Sequence, residues 1–166
     1  MFENELDEQL HEIAQTINNI IPVEWNDIYL NSEISNGDGE VLFYFNTVNN
    51  REEFIYSHDI PSKYGIPLSD YMDTFNKLMD ISRAILKILK DNNQPLWTSM
   101  ILSIKNRKKI SVEFDYTDWI SSPFSINQRL NYFKFRYIGY QPKDDKELQR
   151  FQEMQEFQNQ HNSRPL

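Results

Sequence analysis

The sequence predicts an α+β protein, an antiparallel sheet of four to five strands with helices packed on one face, in the order α-β-β-(β)-α-β-β-α-α. Three observations lead there. Residues 3–20 and 70–92 carry apolar side chains at three- and four-residue spacing, the period of an amphipathic helix. The stretches Trp25–Ile34 and Ile110–Thr117 alternate apolar and polar residues, the period of a strand with one buried face. Finally, the turn runs Asn36-Gly37-Asp38-Gly39 and Asn106-Arg107-Lys108-Lys109 are short enough that the strands they join must pair antiparallel.

In the first helix, Leu6, Leu10, Ile13, Ala14 and Ile17 form the apolar stripe. Glu3, Glu5, Asp7 and Glu8 complement the positive end of its dipole, and Pro22 stops it. Along Trp25–Ile34, Ile28, Leu30 and Ile34 point one way, and Asp27, Tyr29, Asn31 and Glu33 the other. Val41–Val48 returns as a more apolar strand, and a short third strand falls around Glu53–Tyr56. Pro61, Gly65 and Pro67 punctuate residues 57–68, which read as a loop. Ser69 caps the helix over 70–92, whose stripe is Met72, Phe75, Leu78, Met79, Ile85, Leu86 and Leu89. Trp97–Lys105 and Ile110–Thr117 form a hairpin with Ile110, Val112, Phe114 and Tyr116 on one face and Ser111, Glu113 and Asp115 on the other. A helix over 124–138 ends at Gly139, and a polar helix covers 144–160. No repeat or linker interrupts this pattern, so residues 1–160 are expected to form a single domain, with 161–166 as a frayed tail.

The 166 residues are 39% hydrophobic and 14% aromatic, which distinguishes the chain from disordered sequences and gives it enough apolar material for a core. It contains no cysteine, so disulfides and thiolate metal sites are excluded. No apolar run approaches the roughly 18–20 residues that span a bilayer, and the start is acidic rather than basic and apolar, so a cytoplasmic protein without membrane contact is expected. The net charge of −8 is unevenly spread: residues 1–80 hold 16 acids and 3 bases, whereas residues 81–143 hold 4 acids and 11 bases. An acidic surface steers a basic partner, and it disfavours direct nucleic-acid binding.

No constellation with assigned chemistry emerges. His11, His58 and His161 lack neighbours at metal-ligand spacing and read as surface residues. The adjacent His58 and Asp59 have no serine in a nucleophile-elbow context, and no phosphate-cradling glycine motif is present. No catalytic residue, metal ligand or cofactor is therefore assigned. Carboxylates remain: Asp27 and Glu33 on one strand, Glu113 and Asp115 on another, with Asp118 just beyond. On neighbouring strands they would share a face, able either to bind a divalent metal for hydrolysis or to meet another protein. The aromatics Trp25, Tyr29, Trp97, Tyr116 and Trp119 interleave with them, the composition of a binding hot spot and equally of a core. The candidate partner-binding residues are thus Asp27, Tyr29, Glu33, Trp97, Glu113, Asp115 and Asp118.

The segment Pro95-Leu96-Trp97-Thr98-Ser99-Met100, the strand Val112–Tyr116 and the run from Arg129 to Pro142 resemble the YezG/EsaG-type immunity proteins of Firmicutes. The first helix with Pro22 and Trp25, and the Asp59-Ile60-Pro61 segment, fit the same pattern, so the resemblance extends over about residues 5–145. It implies a cytoplasmic antitoxin that binds and neutralises the nuclease domain of a toxin exported by a type VII secretion system. The implied partner is a cognate basic nuclease toxin, and the implied activity is inhibition rather than catalysis. A metal-dependent hydrolase built on the carboxylates, or a generic interaction adaptor, are the alternatives that the residues themselves leave open.

Overall fold

Strand β1 (Trp25–Ser35) is the spine of a five-stranded antiparallel sheet in a computed structural model that describes residues 1–162. It pairs with β2 (Asp38–Thr47) on one edge and with β4 (Ser99–Lys105) on the other. β3 (Asn50–Tyr56) flanks β2 and β5 (Lys109–Asp115) flanks β4, giving the order β3-β2-β1-β4-β5. The third strand is therefore real, and it begins three residues earlier than the sequence suggested.

The register sets Ile28, Leu30 and Ser32 beside Phe45, Phe43 and Val41 on one side and Ile104, Leu102 and Met100 on the other. All nine are buried. Each large apolar side chain removed from water in this way contributes on the order of 2 kcal/mol. Helix α3 (Leu68–Asp91) packs on β1 and β2, and α1 (Phe2–Ile20) packs against α3 through a stripe that includes Ile13, Ile17 and Ile20. With 24 residues α3 spans about 36 Å, enough to carry the chain from the β3 edge past β1 to β4. Within the apolar layer, the Ser32 hydroxyl donates to Ser82 Oγ of α3 at 2.8 Å, a buried polar contact that fixes the helix over the sheet.

Two reversals set the strand register. Asn36 and Gly37 both take positive φ (53° and 83°), the combination required by a two-residue hairpin between Ser35 and Asp38. At Gly39 the backbone lies so close to the Glu33 carbonyl that a Cβ would collide with it. In the β4–β5 turn the positive φ falls on Asn106 and Arg107 (54° and 58°), neither of them glycine, so this turn is strained and needs outside support.

Residues 57–68 are not a plain loop. Ser57–Asp59 form a 3₁₀ turn and Ile60–Tyr64 form a short helix, α2. Pro61 lies in its first turn, where a missing N–H costs nothing, and Gly65 closes it with a φ of 67°. The punctuation read as loop is thus a helix start and stop. The cap also differs from expectation: α3 begins at Leu68 with Pro67 at the cap position, and Ser69 lies in the first turn without a capping role. Tyr71 is buried and Met72 is exposed, so Tyr71 replaces Met72 in the buried stripe.

The chain forms two compact units, Met1–Phe114 and the segment from Asp115 onward. The second contains α4 (Ile126–Tyr137) and α5 (Asp145–Asn162). α4 opens with a reciprocal capping box in which the Gln128 N–H donates to Ser125 Oγ and the Ser125 N–H donates to Gln128 Oε1. Trp119, Phe124, Tyr132, Phe151 and Met154 make its core, edged by Phe135, Tyr140 and Phe157. His161 and Asn162, expected in a frayed tail, are helical, and positions 163–166 lie outside the described residues.

The buried serine pair yields a test. Ser32→Ala alone should cost about 1–2 kcal/mol, because it strands the Ser82 hydroxyl, whereas the Ser32→Ala/Ser82→Ala double variant should cost less than the sum of the two single changes. Urea denaturation of the four proteins measures the coupling.

Candidate functional site

The candidate carboxylates divide into two kinds. Asp27 and Asp115 are occupied with internal donors, whereas Glu33 is half-buried and Glu113 and Asp118 are exposed. Asp27 Oδ1 accepts the Asn106 N–H at 3.0 Å and its Oδ2 accepts Asn46 Nδ2 at 2.9 Å. Its own N–H donates to Asn46 Oδ1 at 2.7 Å. One side chain therefore ties β1 to β2 and supports the strained β4–β5 turn, which is further held by Arg107 N–H on the Asn26 carbonyl and by the Arg107 guanidinium over the Trp25 ring. Burial pushes the Asp27 carboxyl up, but donors from Asn106, Asn46 and Asn26 and the charge of Arg51 outweigh it and hold it below the usual carboxylate range.

Asp115 is 4% exposed and accepts at least five hydrogen bonds. They come from the Thr117 N–H and hydroxyl, from Trp119 Nε1 at 2.8 Å, and from Gln158 and Asn162 of α5 at 3.1 and 2.9 Å. Gln158 Oε1 in turn accepts from the Tyr132 hydroxyl and from Arg136. This carboxylate organises the second unit from inside. Among the described residues, Asp118 accepts only the Ser121 N–H within a turn. The acids of β1 and β5 also do not lie on adjacent strands, because β4 intervenes.

The aromatics are mostly core. Trp97 is 2% exposed and stacks on Phe114 at 6.3 Å and 6°. Trp25 is buried and donates its indole N–H to Asn18, and Trp119 belongs to the second core. Tyr29 is half-buried against Phe54, with its hydroxyl pushed up by burial and by the charge of Asp27, and Tyr116 is half-buried. Tyr29, Glu33, Glu113, Asp118 and Tyr116 therefore keep some exposure, whereas Trp97 and Asp115 are enclosed.

A cluster that sequence reasoning did not single out lies in the first unit. His58 is not a free surface histidine: its Nδ1 is 2.6 Å from the Tyr71 hydroxyl and its Nε2 is 3.2 Å from Glu40. A carboxylate can only accept, so Nε2 carries the proton, and in the neutral ring Nδ1 accepts from Tyr71. Gly39, Glu40, His58, Leu68, Tyr71, Met72 and Phe75 line an open cavity of about 430 Å³. No sequence spacing marks this group, since it joins β2, the turn after β3 and the start of α3. Among the described residues, no three His, Asp or Glu side chains gather as a metal site, and no helix is long and apolar enough to cross a membrane.

The charge asymmetry is now located. The first unit holds 18 acids and 10 bases, a net of −8, and the second holds 7 of each. An acidic α+β unit with an open cavity and a neutral, aromatic-cored second unit is the class of protein that the fold defines. A family model described as "Immunity protein YezG-like" matches residues 6–152. The chain is 32% identical over 156 residues to "Type VII secretion system protein EsaG" of Staphylococcus aureus (strain NCTC 8325 / PS 47), covering 94% of this chain and 95% of that protein. It is 33% identical over 131 residues to "Immunity protein YezG" of Bacillus spizizenii (79% of this chain, 81% of that protein) and 29% identical over 133 residues to the protein of that name in Bacillus subtilis (strain 168) (80% and 87%). The chain belongs to the YezG-like immunity protein family.

Two substitutions test the division of the carboxylates. Asp115→Ala strands several buried donors and should destabilise the second unit by about 3 kcal/mol or more, read as faster proteolysis within 115–162. Asp27→Asn should cost about 1 kcal/mol at neutral pH. Because the folded pKa of Asp27 lies below its ordinary 3.8, its contribution is complete above that value and is lost as pH falls through the folded pKa. The stability gap between wild type and Asp27→Asn, measured by urea titration from pH 7 to pH 2, should therefore close at the acid end.

Proposed function

We propose that this chain is an immunity protein that binds and neutralises the nuclease domain of a toxin exported by a type VII secretion system, acting stoichiometrically in the cytoplasm of the producing cell and not as an enzyme. The observation that carries the reading is family membership across residues 6–152, together with relatives named as an immunity protein and as a type VII secretion system protein. Physical chemistry supports the nuclease assignment. A nuclease must hold a polyanion and presents basic surface near its reacting groups. A first unit of net charge −8 would be drawn to that surface and would compete with nucleic acid for it. Charge steers encounter but does not select one toxin, so exposed apolar and aromatic groups must supply the specificity.

The half-buried and exposed members of the candidate set, Tyr29, Glu33, Glu113 and Asp118, are the ones able to meet a partner without unfolding. Asp27, Trp97 and Asp115 would act by holding the framework. Reversing Asp27 or Asp115 would therefore damage the fold and report nothing about the interface.

Titrating this chain into a cognate nuclease-toxin domain, sought among the genes beside its own, should abolish DNA cleavage at a fixed molar ratio. Association should slow at least tenfold between 50 and 500 mM salt, as screening shortens the reach of the charges. Glu33→Lys and Glu113→Lys should each weaken binding with the melting temperature held. Full cleavage at saturating immunity protein would refute the assignment, and unchanged affinity in both variants would remove those two residues from the interface.

A further inference from the structure

We propose that the cavity between the β2–β3 end of the sheet and the start of α3 is the seat of an arginine side chain of the bound toxin, its guanidinium on Glu40 and its aliphatic stem on Leu68 and Met72. The inference rests on the immunity reading above and assigns the place where the partner is gripped.

The cavity has a polar end and an apolar end. At the polar end Glu40 is 54% exposed and gives one oxygen to His58 Nε2 at 3.2 Å, leaving most of its acceptor sites open to the cavity mouth. His58 is itself anchored by the buried Tyr71 hydroxyl, so the carboxylate is held in place rather than sweeping through solvent. At the apolar end Leu68 is 65% and Met72 42% exposed, with the half-buried Phe75 beside them. Both lie in the first turns of α3, and neither joins the core of the unit. A volume of about 430 Å³ is at the low end of the roughly 300–1,000 Å³ typical of ligand pockets, suited to one long side chain and its neighbour.

The electrostatics select a cation. Register sets Glu33 directly opposite Glu40 across the β1–β2 pair, so a second carboxylate stands on the neighbouring strand. The surrounding tyrosines sense the same field. Burial first, and then the charges of Asp59 and Glu40, push the Tyr44 hydroxyl up to about 12, and burial and Glu40 push Tyr56 up as well. Arginine fits better than lysine, because a planar guanidinium can lie against the His58 and Phe75 rings, 6.2 Å apart, while it bonds a carboxylate through two N–H groups.

The test measures toxin binding by calorimetry for the full chain and for Glu40→Gln, Leu68→Ala/Met72→Ala and the control Glu8→Gln, an exposed acid on α1 remote in sequence from the cavity. Glu40→Gln and the double variant should each weaken affinity tenfold or more, with melting temperatures within about 3 °C of wild type, and Glu8→Gln should leave affinity within twofold. Loss in the double variant with none in Glu40→Gln would mean an apolar occupant and overturn the arginine assignment. Wild-type affinity in both would overturn the site while leaving the immunity function standing. Absence of binding by the unaltered chain would instead remove the functional reading on which the proposal rests.

Discussion

Strand β1 carries the sheet, because it is the strand through which both halves of the sheet connect: β2 and β3 on one side, β4 and β5 on the other. Its register is set by burial of Ile28, Leu30 and Ile34, since a slip by one residue would place Tyr29, Asn31 and Glu33 in the apolar layer. Asp27 locks the same strand at its start. By accepting from Asn46 on β2 and from the Asn106 backbone in the distant β4–β5 turn, it couples the two sides of the sheet across 79 residues of chain. That turn holds two non-glycine residues at positive φ, a conformation that persists only where neighbours over-determine it. Displacing Asp27 would release strain at the turn and loosen β2 together.

Negative charge serves two purposes in this protein. Some carboxylates are building material, as at Asp27 and Asp115, each saturated by donors from its own unit. The rest lie on the surface and account for the field of the first unit, which carries the whole net charge of −8 while the second is neutral. An immunity protein needs both properties: a framework stiff enough to present one surface, and a potential that brings the partner in quickly. The cavity bordered by Glu40 and Leu68 joins acidic and apolar character at one place, and on the proposed reading it would add the selectivity that charge alone lacks.

The architecture was legible in the sequence where one physical signal dominated. Period-3.6 stripes located α1 and α3, and alternation with Asn-Gly located the β1–β2 hairpin. Family resemblance was legible in the Trp97 segment and the run from Arg129, both of which contribute buried aromatics. Errors arose where local chemistry has two readings. Proline and glycine in residues 60–65 mark a short helix as readily as a loop, and Ser69 resembles a cap although Pro67 sits at that position. The capping box of Ser125 and Gln128 was readable by its spacing and would have sharpened the start of α4. The site was much less legible. Whether an aspartate is a surface charge or an internal acceptor depends on donors far away in sequence, as with Asp115 and Asn162, 47 residues apart. Glu40, His58 and Tyr71 meet only because β2, the turn after β3 and α3 converge.

Hydrogen–deuterium exchange on the free protein and on a complex with the proposed nuclease-toxin partner tests most directly the proposal that the acidic first unit is where the toxin docks. Protection should concentrate on residues 33–40, 56–59 and 68–75, the segments that bring Glu33, Glu40, His58, Leu68 and Met72 together. Protection confined to residues 115–162, with the first unit exchanging as it does when free, would contradict the account.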